Sequence, residues 1–347
     1  MVDERESLAP PPEPAKRSSF WRWILTGCVA AGLLAAAFLV PLPMYYAEGP
    51  GPVRDVGRLV KVSGAESYSS EGALYLTTVS IDDEVTFAEF VQSIFDPGLE
   101  LISKEQFTGG RPYEEILEQA REDMAMSKQH AREVALTALG LGHPEGDGAR
   151  VSQTVEGTPA AGVLLEGDVI VEVDGRSVQT TCDVGLLIDL HEPGDEIEVT
   201  VRRDGERVVL TVGSISNPDN QKQPLIGILM SDINYRFVSD VTVDIDTDRI
   251  GGPSAGLMFT LALYDRLTPD DLTDGRKIAG TGEIACDGGV GPIGGVAQKV
   301  AAAEDNGAEI FLSPSANFED ARAAAGDAIE VVSVATFADA LDYLEDL

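Results

Sequence analysis

The chain has 347 residues, of which 44% are hydrophobic and 6% aromatic, a composition that supports buried cores and excludes a chain disordered throughout. Its formal net charge is −34. A surface this acidic repels phosphate backbones, so we expect no nucleic-acid partner. The 3 histidines and 3 cysteines form no CxxC pair or other metal-ligand spacing. We therefore expect no metal site and no cofactor.

The N-terminal region combines a polar tail with an apolar segment. Residues 1–19 are rich in proline, serine and charge, which predicts a disordered tail. Residues 23–40 carry no charge, and at about 1.5 Å per residue they are long enough to cross a hydrocarbon core of about 30 Å. We predict a transmembrane anchor over residues 20–46. A cleaved signal peptide is the alternative, but the apolar run is longer than its usual core and no clear A-x-A site follows.

Charged residues around this segment predict its orientation. Three bases precede it, namely Lys16, Arg17 and Arg22, and only Glu48 follows it closely. By the positive-inside rule the N-terminus is cytoplasmic and residues 47–347 are extracytoplasmic, as in a single-pass protein of the cell membrane. The aromatic residues expected at the two membrane interfaces are Trp21, Trp23, Tyr45 and Tyr46.

The sequence of residues 48–138 predicts strands followed by helices. A Pro/Gly linker starts at Glu48, and strand-like runs then cover Arg58–Ser63 and Ala73–Ile81. Phe87–Phe95 is typical of a short amphipathic helix. The stretch from Pro112 to about Ala138 predicts a long helix with the proline in its first turn.

Ala149–Val212 predicts strands joined by tight turns, because Asp174-Gly175 and Asp204-Gly205 are strong hairpin signals. A short helix is expected near Cys182–Leu190. The segment resembles a PDZ domain of the kind associated with bacterial proteases. The strings that carry this resemblance are GTPAAG (Gly157–Gly162), EGDVIVEVDGRSV (Glu166–Val178) and PGDEIEVTVRRDG (Pro193–Gly205).

The PDZ resemblance implies a domain over residues 126–214 that binds peptide ends. Such domains add the peptide as a strand to an open sheet edge beside a helix. The carboxylate-binding loop would fall near Ala138–Leu141, although the glycine-rich stretch that follows departs from the usual tight loop.

Strands and helices alternate again after residue 221, which predicts a mixed sheet covered by helices. The predicted elements are a strand at Phe237–Ile245, strands near Ile278–Ile284, Glu309–Leu312 and Ile329–Val334, and a closing helix at Phe337–Leu347.

The segment IGGPSAGLMFTLALYDRL places Ser254 directly before an apolar helix that Pro253 is able to start. Backbone N–H groups at a helix N-terminus can stabilise an oxyanion. A serine in this position can also be a simple helix cap, so the motif alone leaves both readings open. Gly252 and Pro253, beside the serine, are candidate substrate-binding residues.

Two further segments favour a catalytic role for Ser254 over a role as a helix cap. In GPIGGVAQKVAAAEDNG, Lys299 lies early in an Ala/Val-rich helix, and burial there lowers the pKa of a lysine so that it can act as a base. A snorkelling surface lysine is the alternative. In AGTGEIACDGG, Thr281 ends a strand, where its hydroxyl could orient the amine. An ordinary strand-end threonine is the alternative there.

The strings GPSAG, TGEI and PIGGVAQK resemble, in order and spacing, the proteolytic domain of the Lon family of serine peptidases. The resemblance implies that Ser254 is the nucleophile, Lys299 the general base and Thr281 a supporting hydroxyl. Together with PMYYAEGPG and LVKV…GALYLTTVSI, it extends to bacterial membrane-anchored, PDZ-containing Lon-like proteases. Their architecture implies one transmembrane helix followed by an α/β (α+β) catalytic unit, made of residues 53–125 and 225–347. The inserted PDZ domain would be a partly open β-barrel or sandwich with helices.

The chain also departs from the Lon pattern. Gly251 stands where the family commonly has an acid three residues before the serine, and Asp246 or Asp248 could replace it. The chain contains no GxxxxGK[ST] string, so the expected activity is an ATP-independent serine endopeptidase. The expected partners are unfolded or membrane-protein peptide substrates, peptide ends bound by the PDZ domain, the lipid bilayer and a possible homo-oligomer.

Other readings remain open. A trypsin-like protease with a PDZ domain lacks its GNSGG-like string here. A non-catalytic PDZ membrane adaptor or a peptide-binding chaperone on a protease-like fold would not need Ser254 for its function. For Cys182 and Cys286, a disulfide is conceivable, but two unpaired core thiols are the favoured prediction.

Overall fold

The computed structural model describes residues 23–29, 32, 38–96, 98–218, 220–248 and 250–347. Residues 23–29 are helical. The predicted tail lies outside the described residues, as do residues 20–22, 30–31 and 33–37 of the predicted anchor. Within the described ranges, no helix combines the length and apolarity needed to cross a membrane.

Between residues 45 and 138, the described chain forms short strands and four helices. The strands are β1 (Tyr45–Pro50), β2 (Arg54–Asp55), β3 (Val60–Ser63), β4 (Ala73–Leu76), β5 (Val79–Asp82) and β6 (Glu100–Ser103). The helices are α1 (Val56–Leu59), α2 (Phe87–Ser93), α3 (Lys104–Thr108) and α4 (Tyr113–Ala138). The amphipathic helix and the long helix are thereby confirmed.

Three predictions for this part need correction. The start of the predicted strand Arg58–Ser63 is helix α1, because the Asp55 side chain accepts from the backbone N–H of Gly57 and caps it. The predicted strand Ala73–Ile81 is divided at Thr77–Thr78, since β4 pairs with β18 (Lys277–Gly280) while β5 pairs with β1. Tyr46, predicted at the membrane interface, is 9% exposed in β1 and packs against the rings of Phe107 and Tyr113.

The PDZ region contains a six-stranded sheet in the order β12-β11-β9-β8-β15, with β10 paired to β9. Its elements are β7 (Gly142–Glu145), β8 (Ala149–Thr154), β9 (Val169–Val173), β10 (Arg176–Ser177), α5 (Thr181–Ile188), β11 (Glu196–Arg203), β12 (Glu206–Gly213), β13 (Ile215–Ser216), β14 (Pro224–Leu225) and β15 (Ile228–Asp232). Asp174 and Asp204 have φ of 49° and 53°, so both predicted Asp-Gly turns adopt the left-handed backbone that such hairpins need.

The edge strand beside helix α5 comes from an unexpected part of the chain. Strand β15 pairs with β8, from Ile228 opposite Thr154 to Asp232 opposite Ala149. Its last residue accepts a hydrogen bond from the backbone N–H of Thr181, at the start of α5, over 2.6 Å. By contrast, β7, which follows the predicted carboxylate-binding loop, pairs with β16 (Arg236–Ser239). The sheet edge next to α5 is therefore preceded by β14 and the short loop 226–227.

The last part of the chain alternates strands and helices as predicted. Its further strands are β17 (Thr242–Ile245), β19 (Glu283–Ile284), β20 (Val290–Gly291), β21 (Ile310–Pro314) and β22 (Glu330–Val334). Its helices are α6 (Gly256–Leu267), α7 (Val296–Asp305), α8 (Phe318–Ala325) and α9 (Phe337–Glu345), with a 3-10 turn at Ser315–Asn317. The predicted strand Phe237–Ile245 is two strands, because β16 pairs with β7 and β17 with β3.

A five-stranded sheet in the order β2-β4-β18-β21-β22 forms the centre of the predicted catalytic unit. Its last four strands are parallel. Successive residues point to opposite faces of a strand. Accordingly Ile278 joins the core under α6 and α9, whereas Ala279 and Phe311 join the core under α7 and α8. Because β4 precedes the PDZ region and β18 follows it, one sheet is built from both sides of the insertion.

Helix α4 is a single 26-residue helix that joins the two regions. Its buried residues Met124, Ala131, Val134 and Ala135 belong to the same core as α6. The boundary predicted between residues 125 and 126 therefore falls inside a helix whose apolar face packs on the catalytic unit.

The favoured prediction of two unpaired thiols is wrong for Cys182 and Cys286. They form a disulfide with a Cα–Cα distance of 6.1 Å. Cys182 lies in α5 and Cys286 in the turn between β19 and β20. The bond therefore ties the PDZ helix to a turn of the catalytic unit, two segments 104 residues apart. Cys28 is free and exposed.

Candidate active site

Ser254 lies in the loop that leads into α6, next to the N-cap residue Ala255. The helix begins at Gly256, three residues later than predicted for a start at Pro253. A Cβ at Gly256 would lie 2.6 Å from the Ile284 side chain, so only glycine allows the helix to start this close to β19. The carbonyl oxygen of Ser254 accepts from the backbone N–H of Gly282 over 2.8 Å. These contacts hold the serine beside the strand ends.

Lys299 lies in the first turn of α7 and is only 3% exposed. Its Nζ is 3.0 Å from Ser254 Oγ and 3.3 Å from Thr281 Oγ1. The Thr281 hydroxyl in turn donates to the Ser254 carbonyl oxygen over 3.0 Å. The structure thus brings all three predicted residues, from three separate segments, into one hydrogen-bonded cluster.

Burial sets the electrostatics of this cluster. Removal of water from the ammonium lowers the pKa of Lys299 to about 8, while the charges of Glu48 and Glu283 act in the opposite direction. Burial raises the pKa of both glutamates, and their proximity to Lys299 partly opposes that rise. A lysine with a pKa near 8 is partly neutral close to neutral pH and can serve as a base.

Sequence reasoning missed the two glutamates. It proposed Asp246 or Asp248 as a replacement for the acid absent at Gly251, and both aspartates do line the cavity in front of Ser254. The carboxylates that act on Lys299 are Glu48 in β1 and Glu283 in β19. Glu283 belongs to the TGEI string, which was the available signal, whereas no local pattern distinguishes Glu48.

A cavity of 890 Å³ opens in front of Ser254 and Lys299. One part of its lining is the segment Thr77–Ile81, which runs into β5, and another consists of Asp246–Asp248, Ile250 and Gly251. The remaining lining residues are Pro52, Arg54, Leu59, Leu76, Met124 and Ala255. A space of this size, with an exposed strand segment along it, accepts several residues of an extended peptide.

The two candidate substrate-binding residues have a positioning role in the structure. The backbone N–H of Gly252 donates to the carbonyl oxygen of Ala120 over 2.7 Å. The carbonyl oxygen of Pro253 accepts from Ser127 Oγ over 2.9 Å. Both bonds fasten the serine loop to α4, and it is the neighbouring Gly251 that lines the cavity.

Comparison with protein families supports the reading of this geometry. Residues 240–344 match the model of the Lon protease (S16) C-terminal proteolytic domain, and residues 124–213 match the PDZ domain model. The chain therefore contains one segment similar to the Lon proteolytic domain and another similar to a PDZ domain. The Lon match contains Ser254, Thr281 and Lys299, and the PDZ match contains helix α5.

Three related proteases are each similar to a part of this chain. Lon protease 2 of Bacillus subtilis is 35% identical over 115 residues, which are 33% of this chain and 19% of that protein. Lon protease of Roseiflexus castenholzii is 46% identical over 91 residues, 26% of this chain and 11% of that protein. A probable periplasmic serine endoprotease, DegP-like, of Halomonas elongata is 37% identical over 93 residues, 26% of this chain and 19% of that protein. The alignments thus span a fifth or less of each relative.

Among solved structures, the PDZ domain of the SdrC-like protein of Listeria innocua is 28% identical to this chain. The alignment covers 24% of this chain and 93% of that domain, with a TM-score of 0.23.

Proposed function

We propose that the protein is an ATP-independent serine endopeptidase in which Ser254 is the nucleophile and Lys299 the general base. The observation that carries this is the 3.0 Å distance between Lys299 Nζ and Ser254 Oγ, at a lysine that is 3% exposed. A buried amine with a lowered pKa next to a serine hydroxyl is the arrangement that serine–lysine catalysis requires.

The reaction follows from these positions. Neutral Lys299 takes the proton of Ser254 Oγ as the oxygen attacks the carbonyl carbon of the substrate. The peptide C–N bond then breaks, the protonated lysine gives its proton to the leaving amine, and an acyl-enzyme remains. Water activated by the same lysine hydrolyses the ester. We propose that backbone N–H groups beside Ser254 stabilise the oxyanion. Thr281 Oγ1, 3.3 Å from Lys299 Nζ, is proposed to hold the amine in place.

The substrates are proposed to be unfolded segments and loops of membrane proteins. The chain has no nucleotide-binding GxxxxGK[ST] string, so it has no ATP-driven unfolding step of its own. A folded protein presents few extended segments, whereas the cavity in front of Ser254 needs one.

The PDZ domain is proposed to bind peptide ends at the edge of β15, beside α5. This edge is bordered by α5 and preceded by the loop 226–227, the arrangement of helix, strand and loop that PDZ domains use for this purpose. The site differs from the loop predicted near Ala138–Leu141, because the strand after that loop, β7, pairs with β16 outside the six-stranded sheet that α5 borders.

We further propose that the protein is anchored in the cell membrane by the apolar run that ends at residue 40, with residues 1–19 cytoplasmic and residues 47–347 extracytoplasmic. The uncharged run and the flanking bases support this arrangement. The disulfide between Cys182 and Cys286 supports it independently, since such bonds form and persist mainly in oxidising compartments outside the cytoplasm.

The nucleophile can be tested by covalent labelling. The full chain in detergent is treated with a fluorophosphonate, and the modified peptides are identified by mass spectrometry. We expect one modified site, Ser254, and no labelling after Lys299→Met or after heat unfolding. The same preparation should cut an unfolded protein without ATP. A label on another serine would contradict the assignment, and labelling of Ser254 without any cleavage would point to the adaptor function.

The rate of cleavage is expected to rise with pH and to level off above about pH 8, the value to which burial lowers the pKa of Lys299. Only the neutral amine accepts a proton, and below its pKa the neutral fraction falls about tenfold per pH unit. The measurement is kcat/KM from pH 6 to 10. The Glu48→Gln variant loses a charge that favours the protonated lysine, so its profile should shift to lower pH. A profile that still rises at pH 10 would indicate an ordinary solvated lysine.

A further inference from the structure

Helix α2 and the turn after it carry an unusual set of exposed apolar side chains. Phe87 and Phe90 are each 39% exposed, Ile94 is 64% and Phe95 is 81% exposed. The rings of Phe87 and Phe90 stack with centroids 5.9 Å apart. We call these four residues the aromatic patch. Large apolar side chains grouped in water indicate a surface that contacts another apolar phase.

The polar residues of the same helix have partners within the protein. Glu89 accepts from the backbone N–H of Thr86 and completes a capping box. The side-chain amide of Gln92 donates to Asp96 over 3.2 Å. The helix therefore has one side occupied by its own hydrogen bonds and another that carries the patch, as an interfacial helix does.

The aromatic patch adjoins the end of the uncharged N-terminal run. The Phe38 ring meets the Phe87 ring edge-on at 5.8 Å. The backbone N–H of Phe87 donates to the carbonyl oxygen of Val40 over 3.0 Å, and that of Leu42 donates to Val85. The chain that leaves residues 23–40 is thus hydrogen-bonded directly to the start of α2.

More exposed apolar residues extend this surface along residues 39–44, which we call the connecting segment. Leu39 is 74% exposed, Val40 is 50% and Met44 is 73%. The patch and the connecting segment therefore form one apolar surface that is continuous with the predicted anchor. Because this surface is continuous with the uncharged N-terminal run, the apolar phase that would cover it is the lipid bilayer.

We infer that the aromatic patch lies in the interfacial layer of the bilayer that the proposed anchor crosses. This rests on the proposed membrane anchor. Phenylalanine side chains at this depth are buried among headgroups and upper acyl chains, which removes their surface from water. A second contact with the bilayer, beside the anchor, fixes the orientation of the catalytic unit.

Charge determines the kind of lipid surface that fits. The acidic residues around α2 are Asp82, Asp83, Glu84, Glu89 and Asp96, and Lys104 is the nearby base. Anionic headgroups would be repelled by this set. The patch is therefore suited to zwitterionic headgroups and binds by apolar burial.

The orientation has a consequence for the proposed site. Strand β1 begins at Tyr45, directly after the apolar connecting segment, and carries Glu48, whose charge acts on Lys299. A patch held at the interface places the catalytic cavity close to the membrane surface. Substrate segments that emerge from the bilayer are then favoured over soluble ones.

The test uses spin labels on the full chain reconstituted in phosphatidylcholine vesicles, in a Cys28→Ser background that leaves the disulfide intact. A nitroxide is placed at Phe95→Cys in the patch, at Leu25→Cys in the anchor, and at Val209→Cys on β12 as the aqueous control. Leu25 and Val209 are 70% and 60% exposed, so none of the three changes disturbs a core. Accessibility to oxygen is compared with accessibility to a water-soluble nickel complex.

We expect the label at position 95 to be more accessible to oxygen than to nickel, and the label at position 209 to show the reverse. If position 95 matches position 209 while position 25 is lipid-exposed, the patch inference is overturned and the anchor stands. If positions 25 and 95 both match position 209, both proposals fail. If position 95 alone is lipid-exposed, the patch contacts the bilayer and the anchor assignment fails.

A second measurement links the patch to activity. The double variant Phe90→Asp, Phe95→Asp should raise KM several-fold for a substrate tethered to the vesicles and leave kcat/KM for a soluble unfolded substrate unchanged. Val209→Asp is the matched control and should change neither. Equal effects of the double variant on both substrates would overturn the inference, because they would show a loss of fold or of catalysis.

Discussion

Ser254→Ala is expected to abolish cleavage of an unfolded protein, with kcat/KM falling by about 10³-fold or more. The alanine has no oxygen to attack the carbonyl carbon. Among the described residues, the other hydroxyl bonded to Lys299 Nζ is that of Thr281, which donates to the Ser254 carbonyl oxygen. The measurement is the appearance of fragments by mass spectrometry, together with initial rates on a fluorogenic unfolded substrate.

Lys299→Met should cause a loss of similar size, and Lys299→Arg should not restore activity. Arginine keeps the positive charge but does not deprotonate at these pH values. The variant therefore distinguishes a requirement for a base from a requirement for a positive charge. The matched controls are Ser152→Ala and Lys61→Met, both at exposed positions away from the cavity. Thermal unfolding checks that each variant folds. Cleavage by the Ser254→Ala variant at the rate of the parent would show that the site is elsewhere.

Loss of the disulfide between Cys182 and Cys286 is expected to lower the free energy of unfolding by about 2–4 kcal/mol. The bond joins residues 104 positions apart, and a cross-link over a loop of that length removes much conformational entropy from the unfolded chain. The variants are Cys182→Ala and Cys286→Ala, and the measurement is denaturant unfolding of the chain in detergent under oxidising conditions.

Cys28→Ala is the control for the disulfide variants, because that cysteine is free and exposed, and its unfolding midpoint should equal that of the parent. Reduction of the parent should reproduce the shift seen in the two variants. If oxidised and reduced parent unfold at the same denaturant concentration, the bond contributes no stability. Signals from the PDZ sheet and from the catalytic unit should be followed separately, since two regions need not unfold together.

Local sequence determined much of this protein. The Asp-Gly turns were predictable because a left-handed backbone at Asp174 and Asp204 is a property of two adjacent residues. The long helix α4 and the helix that carries Lys299 follow from the periodicity of their own residues. Ser254, Thr281 and Lys299 lie in short, distinctive strings, so their identity was available before their distances were known.

Tertiary structure alone decided the features that depend on distant segments. Sequence spacing does not tell which helix face meets which turn, so the pairing of Cys182 with Cys286 was not predictable. The edge strand beside α5 is β15. It follows the last PDZ hairpin in the sequence, but in the folded chain it pairs with β8. Tyr46 was expected at a membrane interface and instead packs inside the protein, since burial depends on what lies opposite a strand.

The electrostatics of the candidate site show the same division. Burial of Lys299 on an Ala/Val-rich helix was predictable, because small apolar neighbours indicate a packed face. The carboxylates that oppose its loss of charge were not, because Glu48 comes from a strand before the PDZ insertion and Lys299 from a helix after it. Side-chain identity is a local property, whereas a pKa depends on every charge and on the solvent that the completed fold places around the group.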